Sequence, residues 1–427
     1  MAVAQAASHP SAGASTLRRV LNLALRAGTL VSKFALVFVL AKFLEPADVG
    51  LYGLLAATVS YVLMALGFDF YTYSTRELIV TERRQWAALL RDQGVFYGLT
   101  YTVLLPVCLL IFWAGFLPWN LAAWFFPLLA LEHLAQELNR LLVAMSEPLW
   151  ASIVLFIRHG LWAIAVAFWM WFEPAQRSLD FVLLAWLLGV LCACGLGALL
   201  LRQLDGASLA RPVDWRWIKR GIRVAFPFVL ATLSVRALYT VDRYWIEALA
   251  GLEVLAAYVL FGGIANAIIS FLDAAVFTFA YPALIAIAGK GDCAGFEAQM
   301  RRFGIQTVLV TAALSAGALI LAGPVVDWLQ RPSYAAHFSL LYWTVLAAAL
   351  SAVSMVPHYG LYARRKDRSI VLSHLASLPV FAASAFALGN PLQEAAVPAA
   401  MAVAFLFMLA SKSFAFRRCG PLPATAH

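Results

Sequence analysis

Charged side chains inside apolar runs are the residues of this sequence best placed to do chemistry. Arg26 and Lys33 lie seven residues apart in one such run, which puts them nearly in line on one face of a helix. A cation near the centre of a bilayer costs roughly 2.5–3.5 kcal/mol unless it faces a wet cavity or a partner. The pair therefore predicts a polar interior here rather than a helix that faces lipid.

A second group of ionisable residues lies in the run 120–142, which is the most polar of the chain. It contains Glu132 on one helical stripe and His133, Glu137 and Arg140 on the adjacent stripe. The next run adds Arg158. Ionisable groups buried in membranes are usually paired. One interpretation is thus an internal ion pair, structural or gating, such as Glu137 with Arg140 or Arg158; the other is a role with substrate or protons.

The second half of the chain repeats features of the first. The segment 232–236 is similar to 29–33 and places Arg236 at the depth of Lys33. The segment 250–258 is likewise similar to 44–52, and both end on a tyrosine. A duplication of six spans gives both halves the same orientation in the membrane. We therefore predict two six-helix bundles related by a parallel repeat.

Composition indicates what kind of protein positions these residues. Hydrophobic residues make up 63% of the 427 residues and charged residues 12%, which fits no soluble globular class. Apolar runs of about 20 residues recur, each long enough to cross about 30 Å of hydrocarbon as a helix. The sequence predicts an all-α polytopic membrane protein with about twelve spans, at 17–40, 49–68, 94–116, 120–142, 149–172, 179–201, 221–245, 255–281, 303–325, 338–360, 369–389 and 394–416.

The distribution of basic residues predicts the orientation of the spans. Of the 31 Lys and Arg residues, 23 fall on one side, with Lys412 counted in the C-terminal tail, and four fall on the other side. Because cytoplasmic loops carry the excess of positive charge, both termini are expected in the cytoplasm. The net charge of +9 is then largely a basic rim that faces anionic lipid head groups, and it implies no nucleic acid.

The same pattern divides the chain into segments. The longest connection, 202–220, alternates Trp with basic residues, as is typical of interfacial helices. We expect a six-helix bundle on each side of this cytoplasmic linker, at 17–201 and 221–416. A disordered cytoplasmic N-terminus at 1–16 and a cytoplasmic tail at 417–427 complete the chain.

Several short motifs together carry a resemblance. They are Arg18-Arg19, the turn 44–52, Gly67-Phe68 followed by Arg76-Glu77, and Asp242-Arg243 followed by 253–258. In these motifs and in span count, the whole chain resembles the polysaccharide branch of the multidrug/oligosaccharidyl-lipid/polysaccharide exporter superfamily, which contains bacterial O-antigen and capsule repeat-unit flippases. Ala256 departs from the family pattern, which often has Gly at this position.

The resemblance implies an architecture and a cargo. The two bundles would surround a central cavity that opens alternately to either side of the bacterial inner membrane. The cargo would be an undecaprenyl-pyrophosphate-linked oligosaccharide, moved to the periplasmic leaflet for biosynthesis of surface polysaccharide, such as the O-antigen of lipopolysaccharide. Other implied partners are membrane lipids, a polysaccharide polymerase and the chain-length machinery. A gradient of H⁺ or Na⁺ would drive transport, and no further cofactor is expected.

The charges inside the spans agree with an anionic cargo. Arg offers a planar fork and Lys a compact charge to phosphate oxygens. Residues that change protonation as access alternates can couple transport to an ion gradient. For each such residue, an ion pair or simple packing is the alternative. We expect pyrophosphate binding by Arg26, Lys33, Arg158 and Arg236, and proton or cation coupling by Glu132, His133 and Asp273.

Other functions fit the sequence less well. A cation-coupled multidrug exporter of the same superfamily should have an acid-rich cavity, whereas cations outnumber acids here. An integral-membrane polysaccharide polymerase or glycosyltransferase should have a large periplasmic loop or catalytic carboxylates, but the loops on that side are short. The sequence contains no Walker-type loop, nucleophile elbow or metal-ligand spacing. We therefore expect a transporter, and neither an enzyme nor a metal protein.

Overall fold

The computed structural model describes residues 12–202 and 206–420, and all of their regular structure is helical. Six long helices form the first half of the chain. They are α1 (Ala12–Phe43), α2 (Pro46–Gly67), α3 (Trp86–Trp113), α4 (Ala122–Ala144), α5 (Pro148–Phe156, continued by a π-helical segment Ile157–Leu161 and by Trp162–Phe172) and α6 (Leu179–Leu201).

Six more long helices form the second half. The helical segment Trp215–Leu272 is interrupted at Gly251, where φ is 83° and ψ 179°, a conformation that glycine adopts without strain. The interruption separates α7 (215–250) from α8, which runs from 252 through a π-helical segment Asp273–Phe277 and ends with Thr278–Gly289. The others are α9 (Cys293–Leu329), α10 (Ser339–Ala363), α11 (Asp367–Leu392) and α12 (Ala396–Arg417).

The lengths and composition of these helices suit a membrane. Within the described ranges, nine helical stretches are long and apolar enough to cross one, and Trp215–Gly289 and Asp367–Arg417 each contain two of the long helices. The helix α4 is outside this set because Glu132, Glu137 and Arg140 lower its hydropathy. The prediction of an all-α membrane protein with about twelve spans is confirmed.

The starts of α1 and α7 differ from the boundaries predicted from the sequence, and the predicted tail is described only in part. The helix α1 begins at Ala12, so residues 12–16 of the predicted disordered N-terminus are helical, and residues 1–11 lie outside the described ranges. The helix α7 begins at Trp215, six residues before the predicted span, because Asp214 accepts hydrogen bonds from the amides of Arg216 and Trp217 as an N-cap. Of the predicted tail, residues 421–427 lie outside the described ranges.

Within each half the helices pack mainly on one another. In the first half α1 packs on α5, and α4 packs on α6; in the second half α12 packs on α10 and α11. The helix α2 crosses between the halves and packs on α7 and α8. The described part of the connection between the halves is held by α3, where Arg91 donates to the carbonyl oxygens of Leu209 and Pro212 at 2.8 and 3.1 Å.

Candidate functional site: a basic cleft between the two halves

Lys33 of α1 and Arg236 of α7 lie within electrostatic reach of each other where the two halves meet. The Lys33 side chain is exposed although protein surrounds it on most sides, as expected for a residue in the wall of a deep cleft. Its ammonium lies within electrostatic reach of Arg236, and Arg236 is exposed as well. The structure therefore brings together the two cations that the internal repeat placed at matching depth.

Arg26 lies seven residues before Lys33 on α1, about two helical turns away, and is also exposed. Its Nε donates to the hydroxyl of Ser152 on α5 at 3.1 Å, and that hydroxyl also bonds to the amide oxygen of Asn22. The structure describes no acid within salt-bridge distance of Arg26 in residues 12–202 and 206–420. Arg26 therefore adds uncompensated positive charge to the same face of α1.

Arg158 and Glu132 pair with each other in the interior of the first half. The Arg158 Nη2 atom lies 2.5 Å from Glu132 Oε2, and the exposed fractions of the two residues are only 7% and 3%. The other oxygen, Glu132 Oε1, accepts a hydrogen bond from Trp186 Nε1 on α6 at 2.6 Å. The pair thus joins α4, α5 and α6, and neither member faces the cleft.

Glu137 and Arg140 form a second ion pair at the far end of α4. Their closest atoms are 2.5 Å apart, and Glu137 also accepts hydrogen bonds from Tyr97 and Gln93 of α3 at 2.8 and 2.9 Å. The Arg140 guanidinium lies 3.5 Å from the ring centre of Tyr71, in a short helix Tyr71–Val80 between α2 and α3. Burial raises the pKa of the Tyr71 phenol, so this ring is neutral and offers its face to the guanidinium.

His133 lies between these two ion pairs and is only 3% exposed. Its Nδ1 atom lies 2.9 Å from the Tyr101 hydroxyl on α3, and its Nε2 atom has no hydrogen-bond partner among the described residues. The imidazole is therefore enclosed by aromatic rings and does not line the cleft.

Asp273 is placed differently from the other predicted coupling residues. It is exposed and lies in the π-helical segment of α8, while Arg158 lies in the π-helical segment of α5. Such wide turns interrupt the regular helix and often mark functional positions. Asp273 remains a candidate for coupling that the structure does not join to Lys33 or Arg236.

The two halves meet closely at the end of the cleft that is opposite the chain termini. The repeated turns themselves are in contact there, because a Cβ atom at Gly50 would overlap the carbonyl oxygen of Leu252 and one at Gly53 would overlap Val259. Arg243 donates to the Gly53 carbonyl oxygen at 2.7 Å. These contacts close this end of the cleft.

A salt bridge and a cation–π contact also join the two halves near this closed end. Lys42 donates to the Trp328 carbonyl oxygen at 2.6 Å and lies 4.0 Å from the centre of the Trp328 ring. Arg331 lies 3.3 Å from Glu45. Lys33 and Arg236 remain exposed, and both lie on the side of these contacts toward the start of α1 and the end of α12.

A cavity in the second half opens from the same side. It has a volume of about 340 Å³ and is lined from α7, α10 and α11. Arg236 lies in its wall together with Thr232, His358, Asp367 and His374. Arg236 is thus shared between this cavity and the basic cleft.

Lys412 is a cation that the sequence analysis misplaced. The basic count put it in the C-terminal tail with Arg417 and Arg418, but its side chain is fully buried in α12, and Nζ has no hydrogen-bond partner among the described residues. It lies within electrostatic reach of His358 and His374. Lys412 therefore joins Arg26, Lys33, Arg158 and Arg236, the four cations assigned to span interiors from the sequence. Its position within the predicted span 394–416 was the signal that could have revealed it.

Comparison with known proteins shows the class of fold. Neither a family model nor a curated protein matches the chain. Several solved structures do, and MATE family transporters are among them. The similar structures include the inward-facing conformation of a multidrug resistance MATE transporter of the MOP superfamily, which is 13% identical, covers 93% of this chain and 97% of its own, and has a TM-score of 0.75.

Two further structures agree with this result. The outward-facing conformation of a multidrug resistance MATE transporter is 13% identical over 94% of this chain and 93% of its own, with a TM-score of 0.57. The Vibrio cholerae MATE transporter VcmN, crystallised as a mutant, is 10% identical over 91% and 98%, with a TM-score of 0.55. The chain therefore has the fold of MATE transporters.

Proposed function

We propose that the protein is a secondary transporter that moves an anionic lipid-linked oligosaccharide across the bacterial inner membrane. The cargo with the best match is an undecaprenyl-pyrophosphate-linked repeat unit, taken from the cytoplasmic to the periplasmic leaflet by alternating access. The observation that carries this proposal is the charge of the cleft. Lys33, Arg236 and Arg26 are exposed in or beside it, whereas the acids Glu132 and Glu137 are neutralised by arginines.

The charge balance favours a phosphate-containing head group. Two cations in the cleft wall lower the cost of moving a pyrophosphate out of water, and Arg236 can donate two parallel hydrogen bonds to it. In this proposal Lys33 and Arg236 bind the pyrophosphate, Arg26 attracts it, and Arg158 supports the cleft by fixing α5. The lipid tail would follow the apolar outer faces of the helices.

A second candidate is a cation-coupled multidrug exporter, the alternative left open by the sequence. The comparisons taken alone favour it, because the similar structures are MATE transporters and two are described as multidrug resistance proteins. At 10–15% identity they support the fold and not the cargo. A cationic drug would meet Lys33 and Arg236 in the cleft, which is why we rank this candidate second.

The experiment that tests the proposal removes the two cleft cations. In the deletion strain, and without redundant flippases, undecaprenyl-linked repeat units should accumulate in the cytoplasmic leaflet. Wild type should restore export, and Lys33→Ala with Arg236→Ala should not, although it reaches the membrane at the same level. The matched control is Arg83→Ala with Arg84→Ala, which removes two exposed cations from a loop and should restore export.

One outcome would contradict the proposed cargo, and another would contradict the proposed binding residues. If export is normal in the deletion strain, the protein does not carry this cargo, and cationic drug efflux should be measured next. If the deletion blocks export but the Lys33→Ala, Arg236→Ala variant restores it, the cargo is right and the assignment of the two cations is wrong.

A further inference from the structure

We propose that His358, His374 and Lys412 form a proton-binding site in the second half, and that an anion bound at Arg236 increases its proton occupancy. The predicted coupling residues lie elsewhere, at Glu132, His133 and Asp273. The proton site rests on the side chains described below. Its linkage to an anion rests in addition on the proposed function.

The three side chains come from three neighbouring helices. The imidazole rings of His358 on α10 and His374 on α11 are stacked, with centroids 5.7 Å apart and an angle of 15° between their planes. Lys412 of α12 lies within electrostatic reach of both rings. Three basic groups are thus gathered in one place inside a membrane protein.

Structural explanations account poorly for this arrangement. A lysine in the interior is ordinarily paired with a carboxylate, but Lys412 is fully buried and its Nζ has no partner among the described residues. The Nδ1 atom of His358 is likewise buried and without a partner in that part of the chain. Unpaired hydrogen-bond donors and acceptors in a protein interior reduce stability. Apolar side chains at these positions would avoid that loss, so packing alone does not explain the cluster.

The charges around the cluster decide how many protons it holds. The groups that face it are Arg236 from α7, His358 and Tyr362 from α10, Asp367 and His374 from α11, and Lys412 from α12. Asp367 is the one carboxylate among them. Positive charges on these three basic groups would repel one another strongly in a poorly solvated site. The cluster therefore shares fewer protons than it has basic groups, and the number depends on nearby charge.

Water from the open side can exchange protons with this cluster. His358 and His374 line the cavity of about 340 Å³, whereas Lys412 lies behind them. Histidine is the side chain whose ordinary titration falls nearest neutral pH. The two imidazoles can thus pass protons between Lys412 and the compartment to which the cavity opens.

Arg236 links the cluster to the cargo, because it lies in the wall of the same cavity. An anion beside Arg236 adds negative charge near the imidazoles and favours their protonation. By thermodynamic reciprocity, protonation of the cluster must favour binding of the anion to the same extent. The site is therefore a place where proton binding and cargo binding act on each other.

The test measures protonation directly on the full-length protein in phosphatidylglycerol-containing nanodiscs. Nitrogen-15-labelled histidine distinguishes charged from neutral imidazole, and His358→Gln and His374→Gln assign the two signals. In Lys412→Met the protonated fraction of this pair at pH 6.5 should rise about twofold or more, because a competing cation is lost. The control Lys290→Met, which removes an exposed loop cation, should leave the fraction unchanged.

Inorganic pyrophosphate is the probe for linkage. It should raise the protonated fraction of the pair in wild type and have no effect in Arg236→Gln. If the response to Lys412→Met is present and the response to pyrophosphate is absent, the proton site stands and the anion site of the proposed function is wrong. If Lys412→Met does not change the histidine signals in a folded protein, the proton-binding cluster is disproved, whatever pyrophosphate does.

Discussion

The Arg158 guanidinium lies 2.5 Å from the Glu132 carboxylate, with α4, α5 and α6 closed around the pair. This contact decides the charge of the cleft. Glu132 is the acid that acts electrostatically on Lys33, and its salt bridge is made to Arg158, so neither Lys33 nor Arg236 has a salt bridge among the described residues. Because Glu132 and Glu137 are paired with Arg158 and Arg140, the positive charges of Lys33 and Arg236 remain free to attract an anion.

Replacing Glu132 with glutamine should destabilise the protein. The substitution leaves the Arg158 charge buried without a counterion, and breaking such a pair from one side typically costs about 3–5 kcal/mol. We expect a lower midpoint of thermal unfolding in detergent for Glu132→Gln than for wild type.

The double variant Glu132→Gln, Arg158→Met shows whether the loss of stability comes from the unpaired Arg158 charge or from the changed side-chain packing. It removes both charges, so it should regain much of the stability that Glu132→Gln loses. A Glu132→Gln variant with wild-type stability but with transport that no longer responds to pH would contradict the structural role. That result would instead support the predicted role of Glu132 in coupling.

The sequence predicted the helices well because their signal is local. Hydropathy over about 20 residues identifies a span without knowledge of its neighbours. The Glu137–Arg140 pair was accessible for the same reason, since residues three apart on a helix are adjacent. The repeat pairs Lys33 with Arg236, and in the structure the two side chains are exposed and within electrostatic reach of each other.

The local sequence pattern could not predict the partner of Arg158 or the burial of Lys412. Which stripe of α4 meets α5 depends on how both helices are rotated, and this rotation is set by the packing of all six helices. Lys412 is five residues from the end of α12 and is followed by Arg417 and Arg418, so its local pattern is that of a basic rim. Only the approach of α10 and α11 makes it an interior residue.

Gly50 should be essential for the closed end of the cleft. An added Cβ atom would meet the Leu252 carbonyl oxygen, which is backbone and cannot rotate away. We therefore expect Gly50→Ala to separate α2 from α8 and to shift the protein away from this conformation. In a background without the five native cysteines, Lys42→Cys and Trp328→Cys should be cross-linked by a short bifunctional maleimide, and Gly50→Ala should reduce the yield by about half or more.

The control for this prediction is Gly98→Ala on α3. It makes the same chemical change in a helix, but no atom lies within 4 Å of the added Cβ position. The cross-linking yield should therefore equal that of the parent. Equal yields for Gly50→Ala and the parent would show that the contact between the repeated turns does not hold this end closed.

The orientation of the protein can be tested at Cys293. This residue is exposed at the start of α9, next to the basic positions Lys290, Arg301 and Arg302. The positive-inside rule places it in the cytoplasm. In a variant whose other four cysteines are alanine, a membrane-impermeant maleimide should label Cys293 in inside-out vesicles and not in intact cells.

The opposite face of the membrane supplies the control. Asn120, exposed between α3 and α4, is expected in the periplasm, so Asn120→Cys as the sole cysteine should be labelled in intact cells. Labelling of Cys293 in intact cells with protection of Asn120→Cys would invert the topology. The open side of the cleft would then face the periplasm in this conformation, and cargo would have to reach Lys33 and Arg236 from the periplasm. The direction of transport therefore depends on this measurement, while the charge of the cleft does not.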